Sequence, residues 1–318
     1  MEEAGMVARR GAFLGAAGLA LATRLPGVAL AQAQTAAPTL PYRPHTVTSP
    51  DGVVLSVQEW GNPQGPAILF IHGSWQSHLS WARQVSDPAL AQRYRMVTFD
   101  LRGHGDSSKP EGDAFYKPAK PWADDVAAVI ATLGLQRPVL AGWSYGGRVM
   151  GDYLTVHGNA AVGGIHFVDA TTSAADPAAF FGPGVRFLGA GTAADQATRI
   201  RGTIDFLRAC FERQPTDAEF QDMLAMNMLT PRHVRIAMGG RPTNYEAAWR
   251  ALQVPALVTN GDKDQLITPA MARWTASVVP GARLSIHEGV GHAPFWEDTA
   301  RFNRELGELM AQVAARRG

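Results

Sequence analysis

Short, nearly continuous runs of apolar residues alternate with longer stretches of helical spacing along most of the chain. The apolar runs cover residues 67–71, 96–99, 139–141, 165–168 and 256–259. Such runs are typical of parallel strands that are covered on both faces. Apolar residues recur with helical spacing at 122–133, 148–157, 271–278 and 301–315. This strand and helix alternation predicts an α/β fold with a mostly parallel, doubly wound sheet and helices on both faces.

Two segments depart from this alternation. Residues 53–60 alternate apolar and polar positions after the turn residues 50–52, which predicts an antiparallel or edge strand. Residues 171–250 are rich in Ala, Met and Phe and carry helical stretches at 196–212 and 217–228. We interpret this segment as a helical cap that is inserted after one strand and shapes a pocket over the strand ends. The alternative is that these helices simply pack on one face of the sheet.

The first residues indicate a targeting segment. Arg9 and Arg10 precede an uncharged stretch rich in Ala, Gly and Leu at 11–23. The arginine pair, with Phe13 and Leu14 close behind, is similar to a bacterial twin-arginine leader, although one extra residue separates the pair from Phe-Leu. These features predict a signal peptide and export to the periplasm or the extracellular space.

The end of this leader is predicted from small residues. Cleavage after Ala31 or Ala33 satisfies the small-residue rule of signal peptidase, so we assign residues 1–33 to the signal peptide. Arg24 and Pro26 interrupt the apolar run well before the roughly 20 residues that span a bilayer. We therefore expect no membrane span in the mature protein. Without an internal repeat or a long linker, residues 40–318 are predicted to form one domain with the inserted cap.

Composition excludes several classes of function. The 318 residues include 29 basic and 28 acidic side chains, a formal net charge of +1, which does not favour a nucleic-acid partner. Hydrophobic residues make up 46% of the chain, enough for a large core. The single cysteine, Cys210, excludes an intrachain disulfide and a cysteine-based zinc site. The sequence shows neither a metal-ligand cluster nor a dinucleotide-binding motif, so no metal and no cofactor are expected; the oligomeric state stays open.

One motif carries candidate chemistry. The sequence GWSYGG at 142–147 directly follows an apolar run and precedes a helical stretch. A turn this sharp needs glycines on either side of Ser144, because side chains there would clash, and it leaves the serine hydroxyl exposed. The alternative is an ordinary helix start made of small residues.

Four further segments follow predicted strands and carry polar side chains. They are HGSW at 72–75, DLRGHGDS at 100–107, GDKD at 261–264 and GVGHAPFWE at 289–297. Together with the serine turn, in this order, they resemble the α/β-hydrolase superfamily, and the resemblance runs from about Val47 to the end of the chain. It implies an α/β-hydrolase fold and an enzyme with a serine, acid and histidine triad in that chain order.

The resemblance assigns the site residues by position. It implies Ser144 as the nucleophile, Asp264 as the acid and His292 as the base. Asp262 and Asp169 are alternatives for the acid, since Asp262 lies in the same turn and Asp169 ends another strand.

Two backbone N–H groups are implied as an oxyanion hole, which binds the negative oxygen of the transition state. They belong to Tyr145 and to Ser74, or to Trp75 if the loop is aligned differently. His72 is expected to order its loop rather than to transfer protons. Residues 100–107 are expected to be structural, with Arg102 tying carbonyls and carboxylates together. Trp75, Trp143 and Phe295 are predicted substrate contacts, and the alternative is that these aromatic side chains belong to the core.

The implied reaction is hydrolysis of a carboxylic ester or a related small acyl substrate through an acyl-enzyme. A serine nucleophile disfavours haloalkane dehalogenase and epoxide hydrolase activity, because those relatives use an aspartate. Two alternatives use the same triad, a cofactor-free perhydrolase or haloperoxidase and a lactonase. An alternative from another class is a non-catalytic protein that binds a small molecule in the same cavity.

Overall fold

The computed structural model describes residues 41–241 and 243–316, and the predicted signal peptide lies outside these residues. The described residues form one eight-stranded sheet. Its strands are β1 (Arg43–Thr48), β2 (Val54–Gly61), β3 (Ala67–Ile71), β4 (Arg95–Phe99), β5 (Val139–Trp143), β6 (Gly164–Val168), β7 (Ala256–Gly261) and β8 (Arg283–His287).

Helices connect these strands. They are α1 (Ala82–Val85), α2 (Pro88–Arg93), α3 (Ala119–Thr132), α4 (Tyr145–His157), α5 (Pro177–Phe180), α6 (Arg186–Ala190), α7 (Gln196–Ala209), α8 (Asp217–Met228), α9 (Arg232–Gly239), α10 (Glu246–Arg250), α11 (Pro269–Val278), α12 (Pro294–Glu297) and α13 (Thr299–Ala315). None of the helices in the described part of the chain combines the length and the apolar character needed to cross a membrane.

The strand order across the sheet is β1-β2-β4-β3-β5-β6-β7-β8. Strand β2 pairs antiparallel with both β1 and β4, whereas every pair from β4 to β8 is parallel. The predicted mostly parallel α/β sheet is therefore confirmed. The antiparallel strand expected at 53–60 lies inside the sheet, and its neighbour β1, which the pattern did not predict, forms the edge.

The central strands are buried along their whole length. Every residue of β3, β5, β6 and β7 is buried, which explains why these strands appear in the sequence as continuous apolar runs. Fully burying one large apolar side chain, such as Phe70 or Phe167, contributes roughly 1.5–3 kcal/mol. These strands form a rigid base for the loops that follow them.

The chain order reverses next to β3. From β3 the chain passes to β4 on one side and then returns to β5 on the other side. Connections that leave neighbouring parallel strands in opposite directions open a crevice at the carboxyl ends of those strands. The loops after β3 and β5 border this crevice, and they carry residues 72–75 and Ser144.

Helices α5 to α10 lie between β6 and β7, in the segment predicted as a cap. Ser173 and Asn244 form an isolated antiparallel bridge, so the two ends of the segment leave the sheet side by side. The predicted helix at 217–228 has the observed bounds of α8, and the one at 196–212 ends earlier, at Ala209. The amphipathic helix α9 was not predicted.

Candidate active site

Ser144 lies in a tight turn between β5 and α4. Its backbone has φ +53° and ψ −113°, in the left-handed region that L-residues avoid. A Cβ added to Gly146 would lie 2.5 Å from Ile71 O, and one added to Gly142 would lie 2.9 Å from Gly146 C and O. The glycines two residues before and after Ser144 are therefore required by close approach, as the sequence predicts.

His292 and Asp264 meet at the ends of β8 and β7. His292 Nδ1 lies 2.6 Å from Asp264 Oδ2, and both side chains are buried. The Leu266 N–H donates to Asp264 Oδ1 at 2.7 Å, and the Ile267 N–H donates to the same oxygen at 3.0 Å. These bonds fix the carboxylate, and a carboxylate partner places the histidine proton on Nδ1.

The second ring nitrogen of His292 is left available. Nε2 is buried and has no hydrogen-bond partner among the described residues, and no hydrogen bond joins it to the Ser144 hydroxyl in this part of the chain. Serine to histidine bonds of this type often tighten only when substrate binds. The backbone N–H of His292 donates to Cys210 O at 2.9 Å, so the residue after helix α7 holds the histidine loop.

The loop after β3 lies against the serine turn. A Cβ added to Gly73 would lie 3.1 Å from Ser144 Cβ, which places Ser74 beside the serine. Ser74, Ser144 and Tyr145 line one cavity, and the N–H groups of Ser74 and Tyr145 have no acceptor within the described chain. Tyr145 is the first residue of α4, where N–H groups lack an intrahelical acceptor. Trp75 follows with φ +62°.

The histidines of the first two loops are structural. His72 Nε2 accepts from the Leu101 N–H at 3.0 Å, which joins the loop after β3 to the loop after β4. Burial lowers the pKa of His72 to about 4 and that of His104 to about 3, so both are neutral and neither is a base near pH 7.

Arg102 ties three segments together. Its buried guanidinium forms ion pairs at 2.7 Å with Asp125 of α3 and with Asp51 before β2, and it donates to Phe115 O at 2.9 Å. Burial alone would lower the pKa of Arg102, but hydrogen bonds with Asp125 outweigh this effect and raise it. This is the tying role that the sequence suggests.

The two alternative acids occupy different positions. Asp262 accepts from the Gly289 N–H at 2.7 Å and pairs with Lys263, so it holds the start of the histidine loop and does not touch the ring. Asp169 is fully buried and has φ +42°. Its Oδ1 accepts a hydrogen bond from the Gly261 N–H at 2.9 Å. Its Oδ2 is buried and has no hydrogen-bond partner among the described residues.

Asp169 lies beside the histidine and acid pair. One ligand-type atom of each of Asp169, Asp264 and His292 falls within 4.8 Å of the others, so these are the described residues that could hold a metal. The His292 to Asp264 hydrogen bond uses two of these atoms. Burial, and then the negative charge of Asp264, raise the pKa of Asp169 well above its ordinary value. Asp264 accepts three hydrogen bonds, whereas Asp169 accepts one, from the Gly261 N–H.

Glu297 is a scaffolding residue that sequence reasoning missed. It is buried, and its oxygens accept from the N–H groups of Gly291 at 2.9 Å and Arg213 at 2.8 Å. It therefore joins the histidine loop to the segment after α7. Burial raises the pKa of Glu297. The sequence around Glu297 does not indicate this role, because the backbone group of Arg213 that it binds lies in a distant segment of the chain.

Two cavities border this site, and the three aromatic residues predicted to contact substrate do not all line the same one. The cavity that contains Ser144 has a volume of about 370 Å³, and Trp75 lines it. Trp143 and Phe295 instead line a neighbouring cavity of about 290 Å³. Trp143 also donates its ring N–H to His292 O at 2.7 Å. The structure thus separates Trp143 and Phe295 from the serine cavity, because their rings pack against each other beneath the histidine loop.

Two arginines that line the serine cavity were also missed. Arg148 lies on α4 and Arg235 on α9. Arg148 was detectable in principle, because residues four apart on a helix lie on one face and Arg148 is four residues after Ser144. Arg235 gave no such signal, since its helix was not predicted.

The crevice, the strained serine turn and the histidine and acid pair define an α/β hydrolase. The sequence model of the Alpha/beta hydrolase family matches residues 68–305, and the chain belongs to this family. It is therefore an enzyme, a hydrolase of that family.

Three relatives illustrate the similarity. An aryl esterase structure from Burkholderia cenocepacia is 38% identical with a TM-score of 0.81, and the match covers 86% of this chain and 100% of that one. An esterase from Rhodococcus sp. ECU1013 is 32% identical with a TM-score of 0.79, covering 85% and 99% of the two chains. A non-heme haloperoxidase of Rhodococcus erythropolis is 29% identical over 275 residues, which is 82% of this chain and 97% of that protein.

Proposed function

We propose that this enzyme hydrolyses carboxylic esters with Ser144 as nucleophile, His292 as general base and acid, and Asp264 as the residue that orients the histidine. One observation carries the proposal. The buried 2.6 Å contact between His292 Nδ1 and Asp264 leaves Nε2 without a hydrogen-bond partner among the described residues. An imidazole held in this tautomer is suited to accept a proton from a serine.

The first half of the reaction forms an acyl-enzyme. As the Ser144 oxygen attacks the ester carbonyl carbon, its proton passes to His292 Nε2, and Asp264 stabilises the imidazolium that results. The carbonyl oxygen becomes negative and is bound by the N–H groups of Ser74 and Tyr145. The tetrahedral intermediate then breaks its bond to the alcohol, which leaves with the proton from His292.

The second half releases the acid. His292 takes a proton from water, the resulting hydroxide attacks the acyl carbon, and Ser144 leaves with the proton. Each removed oxyanion donor typically costs about 3 kcal/mol of transition-state stabilisation. The two esterases that are 38% and 32% identical to this chain support an ester as the substrate class.

The test is release of p-nitrophenol from acyl esters of increasing chain length by the mature protein. We expect Ser144→Ala to lower kcat by about 10⁴-fold or more, and Asp264→Asn by about 10⁴-fold, because the first removes the nucleophile and the second allows the wrong histidine tautomer. Asp262→Asn is the matched control, since Asp262 lies in the same turn and does not contact the ring. A folded wild type that hydrolyses no ester would contradict the proposal.

The relative from Rhodococcus erythropolis favours a second candidate. A haloperoxidase on the same triad would use hydrogen peroxide in place of water to release the acyl group as a peracid. The measurement is peracid formation from acetate and hydrogen peroxide, compared with ester hydrolysis by the same preparation. Peracid turnover that exceeds ester turnover would make this the main activity.

A further inference from the structure

The cavity that contains Ser144 has an unbalanced charge. Arg148 and Arg235 line it, and the described residues around it include no aspartate or glutamate. The remaining lining is apolar, glycine or small and neutral, apart from the Tyr145 hydroxyl. A cavity with this lining places two positive charges beside the nucleophile.

Arg235 is a buried cation without an anionic partner. It is 2% exposed, and no carboxylate of the described chain lies within 4 Å of its guanidinium. Its guanidinium carbon lies 4.3 Å from the centre of the Trp75 ring. Its N–H groups bond neutral acceptors only, namely Thr230 O, Gly191 O, Asn227 O, Thr203 Oγ1 and, at 3.8 Å, Met228 Sδ. Burial, and then Arg199, lower the pKa of Arg235 to about 10, so it remains charged at neutral pH.

Arg148 is the second cation of the cavity, and most of its N–H groups make no hydrogen bond in the described structure. It is half-buried, and it makes one hydrogen bond in the described structure, from Nη1 to Arg241 O at 3.3 Å. The carboxylate of Asp152 is already engaged by the Arg241 guanidinium and by the Tyr245 hydroxyl at 2.8 Å. Asp152 interacts with Arg148 electrostatically, but no ion pair within 4 Å joins them in the described structure. The N–H groups of Arg148 that make no hydrogen bond there can therefore bind an anion in the cavity.

The neighbouring cavity differs from the serine cavity because carboxylates line it as well as an arginine. There Arg83 forms an ion pair with Glu219 at 3.0 Å, and Asp222 also lines the wall. The lining of that cavity has one positive side chain and two carboxylates, whereas the lining of the cavity with the nucleophile has two positive side chains and no carboxylate. A buried unpaired charge is costly, and an anionic group of a ligand would offset that cost.

We propose that the serine cavity selects esters that carry a carboxylate, with Arg148 as its hydrogen-bonding partner and Arg235 as a fixed positive charge behind Trp75. The class that fits is a monoester of a short dicarboxylic acid, whose ester end reacts at Ser144 while its free carboxylate lies at Arg148. Arginine can bind a carboxylate through two parallel N–H bonds, which also orients the chain. This inference rests on the proposed esterase function.

The test compares two esters of equal shape. Monoethyl glutarate carries a carboxylate where ethyl 5-methylhexanoate carries an isopropyl group, and ethanol release measures both reactions. We expect kcat/KM of the wild type to be about tenfold or more higher for the charged ester, and added salt to reduce this ratio. Arg148→Met should lower the ratio about tenfold. Arg201→Met, which removes an exposed arginine of α7 that does not line the cavity, should leave it unchanged.

The outcomes separate the two proposals. Equal or faster hydrolysis of the neutral ester, with a ratio that Arg148→Met does not change, would overturn the carboxylate selectivity and leave the esterase function standing. A folded wild type that hydrolyses neither these esters nor p-nitrophenyl esters would contradict both.

Discussion

The carboxyl group of Asp169 lies in surroundings that disfavour its ionised form. It is fully buried beside the histidine and acid pair, and one of its oxygens has no donor among the described residues. The titratable side chains near it are those of Asp264, Glu297, His292 and Cys210. An aspartate in an unfolded chain has a pKa near 3.9. Because the native pKa lies well above that value, the folded protein keeps a proton that the unfolded chain releases.

This difference sets the sign of a pH dependence. Between the two pKa values the native state binds one more proton than the unfolded state, so the free energy of unfolding falls by about 1.4 kcal/mol per pH unit. The stabilising effect of the proton is complete below the unfolded pKa and is lost as pH rises through the native pKa. Asp169→Asn removes this titration, so its stability relative to the wild type should increase as pH rises above the unfolded pKa of about 3.9 towards the raised native pKa.

Urea unfolding at several pH values checks this prediction. Asp205→Asn is the matched control, because Asp205 is an exposed carboxyl on α7 and should show no growing difference from the wild type. Parallel pH curves for wild type and Asp169→Asn would mean that Asp169 is ionised in the folded protein.

At the scale of elements, the contact between β3 and the start of α4 positions the serine. Gly146→Ala would gain about 1 kcal/mol of helix propensity. The new Cβ would, however, lie 2.5 Å from Ile71 O, which is backbone and cannot rotate away. Overpacking of this kind costs roughly 1–3 kcal/mol, so the net effect is destabilising.

We therefore expect Gly146→Ala to lower the unfolding midpoint. It should also lower kcat, because the shift separates the serine turn from the loop that carries Ser74. Gly240→Ala is the control, since nothing lies within 4 Å of a Cβ there and its φ of −88° suits alanine. Thermal unfolding and esterase assays measure both effects. A variant as stable and active as the wild type would show that the turn adapts at little cost.

Elements with a strong local pattern were predictable, and those without one were not. Strand β3 is a continuous apolar run, and its predicted bounds of 67–71 match the structure. Strand β1 is mostly exposed and pairs with β2 as its one strand neighbour, so its sequence carries little periodic signal. Helix α9 begins after Pro231 without a side-chain cap, and its cavity-facing arginine obscures the apolar face.

At the scale of the molecule, the site residues likewise fall into those that the sequence predicted and those that it did not. Ser144 and Asp264 each follow a predicted strand, and His292 lies in a glycine-containing loop near the end of the chain, so each could be located from its own local sequence. Cys210, Glu297 and Arg235 act through partners far away in sequence, so only the folded chain brings them to the site. Their contacts show that the helical segment between β6 and β7 holds the histidine loop and also lines the cavity that contains Ser144.

The last prediction concerns the whole chain and its destination. We propose that the protein is exported with a twin-arginine-like signal peptide at residues 1–33. Strand β1 begins at Arg43, beyond both proposed cleavage positions, Ala31 and Ala33, so removal of the leader takes nothing from the sheet.

Expression of the full-length chain in a bacterium tests the proposal through cell fractionation and sequencing of the mature N-terminus. We expect a new N-terminus at Gln32 or Gln34 in the exported fraction. Replacing Arg9 and Arg10 by lysine should keep the protein in the cytoplasm if the twin-arginine route is used, whereas export without loss would indicate another route. Retention of the wild type in the cytoplasm with Met1 intact would refute export itself. This outcome would leave the proposed esterase function untouched, because that function is tested separately.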